Sequence, residues 1–247
     1  MSISRMHIAV VLAGGIGKRM GADIPKQFIE IDGKPVIIYT LEKFQQNEKI
    51  DAIEVVSVES YIEDVWGYAE KYNISKLKWV VAGGATAQES TRNGIFNLEK
   101  VCTEDDILMI HMSVSPLIDD EIINDALDVC KKYGNAIAAN QSIFNICRIK
   151  DGYYSDEYFS KKDLVTLNMP WTIKYGKALW AYKKAYNENI GTDANAYLVS
   201  LLVDLGERLY FSKDSQKNKL KLTTFDDVDL LEGYLTLMKR RNSLEEG

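Results

Sequence analysis

The sequence predicts an α/β fold: a doubly wound, mostly parallel β-sheet with helices on both faces and a protruding β-hairpin arm. Three observations predict it. Apolar runs of strand length alternate with amphipathic segments of helix length, glycines follow the strands, and neither internal repeats nor low-complexity linkers interrupt the 247 residues. A chain of this length can bury one large core, so we expect a single domain over residues 1–247.

The first elements follow one another in a strict alternation. The run HIAVVLA is continuously apolar, as expected of a parallel strand buried on both faces. The segment PVIIYTLEKFQQ repeats Ile38, Leu41 and Phe44 at helical spacing. Three further strands and helices are predicted by the same patterns. The strands are 50–59, 76–84 and 106–116, and the helices are 60–73, 87–101 and 119–134.

Residues 136–168 break this alternation. Two β-rich runs flank Asp151-Gly152, a strong hairpin signal, and we expect a dimerisation arm inserted over residues 137–168. Helix and strand patterns resume at MPWTIKYGKALWAYKKAY and end in a C-terminal helix over DVDLLEGYLTLMKRR.

Composition excludes several classes of function. A net charge of −6 argues against a general nucleic-acid binder, and the apolar run at residues 7–13 is too short for a membrane span or a signal segment. We therefore expect a cytoplasmic protein with neither nucleic acid nor membrane as partner. The cysteines and histidines lack metal-ligand spacing, so no protein-held metal is predicted and the thiols are expected to be reduced. They are Cys102, Cys130, Cys147, His7 and His111.

Three distinctive segments fall at the carboxyl ends of predicted strands. They are residues 14–26, 83–90 and 111–116. In open parallel sheets, ligands bind beyond these ends. We therefore expect the three segments to share one site.

The first of these segments has the chemistry of a polyphosphate cradle. Gly14, Gly15 and Gly17 let backbone amides approach an anion, while Arg19 and Lys26 supply positive charge. The alternative is a tight turn with a solvated cationic rim. The spacing matches neither GxGxxG nor the Walker pattern, so those two readings are poor.

A longer string carries a family resemblance. LAGGxGxRMGxxxPKQFxxxxGKPxIxxTLExF, residues 12–44, resembles the cytidylyltransferases that activate methylerythritol 4-phosphate or ribitol 5-phosphate. Weaker similarity extends along nearly the whole chain, through GG at 83–84, HxSVxP at 111–116, TDA at 192–194 and KLKLTTFDDV at 219–228. The Ser113-Val114 pair and TDA look more like the ribitol-phosphate branch.

The resemblance implies a Rossmann-like fold of the nucleotide-diphospho-sugar transferase type, and a reaction. A phosphate oxygen of the acceptor attacks the α-phosphorus of CTP in line and pyrophosphate leaves, with Mg²⁺ bound mainly through the CTP phosphates. The implied catalytic residues are Arg19, Lys26 and Lys221. The implied nucleotide-binding residues are Leu12, Ala13, Gly14, Gly15, Gly17, Gly83, Gly84, Ser90 and Ser113. The implied acceptor-binding residues are Met112, Ser115, Asn145, Lys161, Met169, Thr192 and Asp193.

Alternative structural roles remain open for some of these residues. Lys221 could be a solvated strand residue. Thr192 could cap a helix, with Asp193 as its N-terminal carboxylate.

The chain departs from the family pattern mainly on the acceptor side. Met112 stands where the family has an aspartate, and Ser115 and Ala87 stand where it has arginines. Arg92 or Lys161 could compensate for the lost charge. In the arm, Phe144-Asn145 replaces an Asp-Thr pair and Lys161 replaces an arginine that faces the partner subunit. Met169-Pro170-Trp171 replaces Thr-Pro-Gln. These changes predict a preserved nucleotide cradle and a larger, more apolar acceptor pocket.

The sequence therefore leaves three alternative functions. The leading one is a cytidylyltransferase for a small phosphorylated polyol, in isoprenoid or cell-wall polyol biosynthesis. The second is a non-catalytic nucleotide-binding relative that acts as a regulatory or assembly partner. The third is a nucleotidyltransferase with another nucleotide preference. The family forms homodimers by exchanging the arm, so we also expect a homodimer.

Overall fold

The computed structural model describes residues 5–15, 24–191 and 197–245. Strands and helices alternate as the sequence predicts, with each predicted strand and helix before residue 134 present. The strands are β1 (His7–Ala13), β2 (Glu30–Ile31), β3 (Lys34–Pro35), β4 (Ala52–Ser57), β5 (Leu77–Ala82), β6 (Ile107–Met112), β7 (Asn135–Gln141), β8 (Ile146–Cys147), β9 (Tyr158–Phe159), β10 (Val165–Lys174) and β11 (Phe211–Ser212). The helices are α1 (Val36–Gln46), α2 (Ile62–Lys71), α3 (Ala87–Asn97), α4 (Asp120–Tyr133), α5 (Tyr175–Glu188), α6 (Leu198–Asp204) and α7 (Phe225–Glu245).

Within the described residues, the central sheet has seven strands in the order β11-β7-β10-β6-β1-β4-β5. Only β10 runs against the others, because it is antiparallel to both β6 and β7 while the remaining pairs are parallel. Strand β1 lies inside the sheet. The next two sheet strands in the chain, β4 and β5, lie on one side of β1, and the following strand, β6, pairs with its other side. This reversal opens a crevice at the carboxyl end of β1, the usual ligand position in such sheets.

The core lies on both faces of this sheet, which confirms the doubly wound α/β prediction. Alternate residues of β1 point to opposite sides, so that Val11 packs against α1, α2 and α4, and Val10 packs against α3, α5 and α6. A third apolar cluster joins α7 to the β2–β3 hairpin and includes the fully buried Leu231. None of the described helices is long and apolar enough to cross a membrane.

The arm is a hairpin, as predicted from Asp151-Gly152. Strands β8 and β9 pair in antiparallel fashion, and Asp151 and Gly152 both have positive φ, 49° and 79°, as a tight two-residue turn requires. The projecting part is shorter than the predicted range of 137–168. Residues 137–141 lie in β7 and residues 165–168 in β10, so only residues 142–164 leave the central sheet.

Candidate active site

A cavity of about 420 Å³ opens at the carboxyl ends of β1 and β6. Its lining includes residues of all three segments that the sequence predicts to share a site. The lining residues are Leu12, Ala13, Gly14, Gly15, Lys26, Gln27, Gly84, Ala85, Thr86, Ala87, Ser90, Met112, Ser113, Val114, Tyr197 and Lys221. Two of these described residues are lysines and none is an aspartate or glutamate, so the cavity is cationic although the whole chain is acidic.

Three backbone segments meet around the Ser90 hydroxyl. The Gly84 amide donates to Ser90 Oγ at 3.0 Å. A Cβ atom placed on Gly14 would lie 3.2 Å from that oxygen, and one placed on Gly83 only 2.8 Å away. Glycine is therefore required at position 83 and favoured at position 14, because a side chain would push the end of β5 or of β1 away from α3.

Hydrogen bonds at the N-terminus of helix α3 fix the position of its first turn. Thr86 Oγ1 accepts a hydrogen bond from the Glu89 amide at 3.1 Å, and the Glu89 carboxylate accepts one from the Ala85 amide at 2.7 Å. These bonds fix the turn that places Ser90 in the cavity wall. Ala87, at the position where the resemblance implies an arginine, lies in the same wall.

Lys26 links the opening segment to the segment that carries Lys221. Its Nζ donates to the Leu222 carbonyl at 2.8 Å, next to Lys221 in the chain. Gln27, which is 1% exposed, donates from Nε2 to the Ala13 carbonyl and so anchors this region against β1. The two lysines are thereby brought to one cavity from positions 195 residues apart in the sequence.

Asp227 fixes the start of α7 behind these lysines. Partial burial acts to raise the pKa of Asp227, but hydrogen bonds from the Thr224 and Thr223 amides and the charge of Lys26 outweigh it and hold the pKa below its usual value. The carboxylate therefore stays ionised and holds the turn that follows Lys221.

The loop after β6 is held by hydrogen bonds from both ends of the chain, and its residues 113–118 carry no charged side chain. His111 is completely buried, its Nε2 lies 2.9 Å from the Ser115 carbonyl oxygen, and burial lowers its pKa to about 4. The imidazole is thus neutral near pH 7 and orders the loop. Thr40 Oγ1 donates to the Ser113 carbonyl at 2.8 Å, and the Leu222 amide donates to the Val114 carbonyl at 3.0 Å.

A second cavity of about 430 Å³ adjoins the first. Met112, Tyr197 and Lys221 line both cavities, so they form the boundary between them. The other lining residues are Ser115, Leu167, Asn168, Met169, Trp171, Val199 and Ser200. Two substrates could therefore bind side by side, with the Lys221 ammonium near the point where they meet.

The predicted acceptor-binding residues separate into two groups. Met112, Ser115 and Met169 line the second cavity, whereas Asn145 and Lys161 lie on the arm and line neither cavity of their own chain. The predictions for Gly17, Arg19, Thr192 and Asp193 fall outside the described residues.

The structure bears on two of the alternatives raised by the sequence. The Arg92 guanidinium lies 4.3 Å from the Tyr186 ring and 5.0 Å from the Phe96 ring, and Arg92 does not line either cavity. It does not take the place of the replaced arginines. Lys221 lies between β11 and α7 rather than in a strand, and it is exposed, as the solvated alternative predicts.

Sequence reasoning missed several lining residues. Tyr197 separates the cavities, and its ring packs edge-on against Trp171 at 5.8 Å between centroids. Nothing in the local pattern marks Tyr197, since it only precedes a short helix. Gln27 could have been predicted, because it belongs to the PKQF string within the family motif of residues 12–44.

Comparison with known proteins agrees with this geometry. The family model described as 2-C-methyl-D-erythritol 4-phosphate cytidylyltransferase matches residues 7–237. The ribitol-5-phosphate cytidylyltransferase of Lacticaseibacillus paracasei is 42% identical over 234 residues, which cover 93% of this chain and 98% of that protein. The 2-C-methyl-D-erythritol 4-phosphate cytidylyltransferase of Clostridium novyi is 33% identical over 238 residues, covering 94% and 98% respectively.

A solved structure gives the same fold. The crystal structure of 4-diphosphocytidyl-2C-methyl-D-erythritol synthase from Anaerococcus prevotii matches with a TM-score of 0.77, covering 94% of this chain and 99% of that one. The two sequences are 21% identical, so this likeness supports the Rossmann-like architecture alone.

Proposed function

The chain belongs to the 2-C-methyl-D-erythritol 4-phosphate cytidylyltransferase family, and we propose that its acceptor is ribitol 5-phosphate, the substrate named for its 42% identical relative. The family resemblance of residues 12–44 is thereby confirmed. The chain is a cytidylyltransferase that transfers a cytidylyl group from CTP to a small phosphorylated polyol and releases pyrophosphate.

One observation carries our assignment of substrates to cavities: two cavities of similar volume share Lys221 at their boundary. CTP binds in the cavity formed by residues 12–15 and 84–90, and the acceptor binds in the one formed by β10 and α6. The acceptor phosphate then faces the α-phosphorus across Lys221. Such a reaction requires mainly alignment of the two substrates and neutralisation of charge in the transition state.

The described residues fit these two requirements. The amides of Gly14 and Gly15 approach the phosphates, and Lys26 neutralises the leaving pyrophosphate. The Lys221 ammonium stabilises the charge on the α-phosphoryl group while the new P–O bond forms and the old one breaks. Ser90 and the turn at Gly83-Gly84 lie where the base and ribose bind. We also assign Arg19 to the phosphates, from the family pattern.

Magnesium is proposed to enter with CTP. The described lining residues offer no carboxylate, and no cluster of metal-ligating side chains occurs among the residues that the structure describes. The donor set of the described residues therefore does not fit an ion held by the protein, and Met112 stands where the family resemblance implies an aspartate. When bound, magnesium would neutralise phosphate charge.

The second cavity supports a polyol rather than a more anionic acceptor. Its described wall has one cation, Lys221, together with the neutral polar groups of Ser115, Asn168 and Ser200 and a large apolar surface. One ammonium suits one phosphate, and neutral groups suit hydroxyls. The relative named for ribitol 5-phosphate is also more similar, at 42%, than the one named for methylerythritol 4-phosphate, at 33%. We therefore place the chain in cell-wall polyol synthesis in the cytoplasm.

The arm is proposed to form a homodimer. It exposes large apolar side chains, among them Phe144 at 60% and Tyr153 at 93%. Such surfaces are costly in water and are usually covered. In an exchanged dimer, Asn145 and Lys161 would reach the acceptor cavity of the partner, which agrees with their absence from the two cavities described above.

Pyrophosphate release tests the function. The purified protein is incubated with CTP, magnesium and either ribitol 5-phosphate, methylerythritol 4-phosphate or other polyol and sugar phosphates. We expect the highest kcat/KM with ribitol 5-phosphate. A higher value with another acceptor would refute the assignment. If no acceptor gives pyrophosphate release while calorimetry still detects CTP binding, the protein binds the nucleotide without turnover. Calorimetry with UTP and ATP tests the nucleotide preference.

A further inference from the structure

An irregularity in β10 forms one wall of the second cavity. Leu167 pairs with Ala139 and Trp171 pairs with Ile137, so residues 168–170 all face the single residue 138 of β7. The strand therefore bulges, and Pro170 within the bulge has no amide hydrogen to offer a neighbouring strand. The bulge needs hydrogen-bond partners from outside the sheet.

A cluster of side chains supplies those partners. Asn218, which is 1% exposed, donates from Nδ2 to the Met169 carbonyl at 2.7 Å and to Asp214 Oδ1 at 2.7 Å. Asn140 on β7 donates to Asp214 Oδ2 at 2.8 Å. Asn168 on the bulge donates to the same carboxylate at 3.4 Å. Three amides thus converge on one carboxylate, and no described lysine or arginine forms an ion pair with it.

This cluster fixes the orientation of the Asn168 amide. Its Nδ2 also donates to the Asn218 carbonyl at 3.1 Å, so both of its hydrogens are directed toward the cluster. A reversed amide would place Oδ1 against the Asp214 carboxylate, which is repulsive. No described residue donates to Asn168 Oδ1, and Asn168 lines the second cavity. The amide therefore presents a hydrogen-bond acceptor to whatever occupies that cavity.

We propose that Asn168 is a specificity-determining residue whose Oδ1 accepts a hydrogen bond from a hydroxyl of the polyol chain, and that Asp214 is the positioning residue that orients it. The inference rests on the proposed function, because it places the acceptor in the second cavity. It adds a discriminating contact at a distance from the phosphate. Acceptors that lack the matching hydroxyl leave a carbonyl without a partner and are disfavoured.

The variant Asn168→Leu tests the contact, because leucine has a similar size and lacks the oxygen. We expect kcat/KM for ribitol 5-phosphate to fall about tenfold, while the KM for CTP stays within twofold. Glycerol 3-phosphate lacks the distal hydroxyls, so the preference for ribitol 5-phosphate over it should narrow by a similar factor. Asn124→Leu is the matched control. It makes the same replacement on α4, outside both cavities and outside the cluster around Asp214, and should leave that preference unchanged.

Deoxy analogues of ribitol 5-phosphate test the same contact on the unaltered protein, in case Asn168→Leu does not fold. Loss of one particular hydroxyl should lower kcat/KM about tenfold in the wild type and have no further effect in a folded Asn168→Leu variant. The inference alone is overturned if the wild type uses ribitol 5-phosphate and either Asn168→Leu keeps its full preference or no deoxy analogue is disfavoured. A wild type inactive on every polyol phosphate overturns the proposed function and this inference with it.

Discussion

Glu54 gives a prediction that can be worked out from the structure. It lies on β4, is fully buried, and accepts one hydrogen bond, from Asn97 Nδ2 to Oε1 at 2.8 Å, while Oε2 has no partner among the described residues. Burial raises the pKa of Glu54 from 4.5 to about 8. The folded protein therefore keeps a proton on Glu54 that the unfolded chain loses near pH 4.5.

The raised pKa of Glu54 makes the free energy of unfolding depend on pH. Between pH 4.5 and about 8 the folded state binds more protons at Glu54 than the unfolded state, so this residue lowers the free energy of unfolding as the pH rises. The slope approaches about 1.4 kcal/mol per pH unit within that window and vanishes above it. A Cβ on Gly94 of α3 would lie 3.0 Å from Glu54 Oε2, so a charge here forms directly beneath the helix that carries Ser90.

Urea denaturation of the wild type and Glu54→Gln at pH 5, 6, 7 and 8 measures this slope. Glutamine has the same shape and does not titrate. The difference in the free energy of unfolding between Glu54→Gln and the wild type should therefore grow with pH. Glu59→Gln, at an exposed carboxyl on the loop after the same strand, is the control and should give a difference that stays near zero. If the difference in the free energy of unfolding between Glu54→Gln and the wild type does not change with pH, Glu54 is not protonated in the folded protein.

Three further predictions concern the site and the arm. Lys221→Met should lower kcat by about 10²–10³-fold with a much smaller loss of CTP affinity by calorimetry, because its ammonium acts mainly on the transition state; an unchanged kcat would remove it from the reaction. Gly83→Ala should destabilise the protein by about 1–3 kcal/mol in urea denaturation and weaken CTP binding, since its Cβ would lie 2.8 Å from Ser90 Oγ. Gly67→Ala, which meets nothing within 4 Å, should do neither, and equal effects of the two would contradict the account. Replacing residues 142–164 by Asn-Gly should give a monomer by light scattering, and a persistent dimer would contradict the proposed role of the arm.

The fold was largely predictable because its pattern is local. The buried strand β1 is a continuous apolar run after His7, β4 and β6 are mostly apolar, and the amphipathic period of α1 and α4 is clear in the sequence. The reversed direction of β10 was not predictable in this way. It depends on where the chain returns from the arm, which no local propensity encodes.

The site was predictable where it depends on strand ends and glycines. Gly14 and Gly83 lie close to Ser90 of α3 because the carboxyl ends of the parallel strands β1 and β5 lie at the same edge of the sheet. The wall of the second cavity was not, since Asn168 and Asp214 are 46 residues apart and their contact requires a bulge that the sequence shows only as an isolated proline. Long-range polar contacts of this kind carry no periodic signal.

A crystal structure with the product CDP-ribitol tests the central claim most directly, because this molecule would span both cavities at once. We expect the cytidine against Gly84 and Ser90, the ribitol chain beside Asn168 and Trp171, and the bridging phosphates within hydrogen-bond distance of Lys221. A product whose ribitol lies outside the second cavity, or whose phosphates lie away from Lys221, would contradict it.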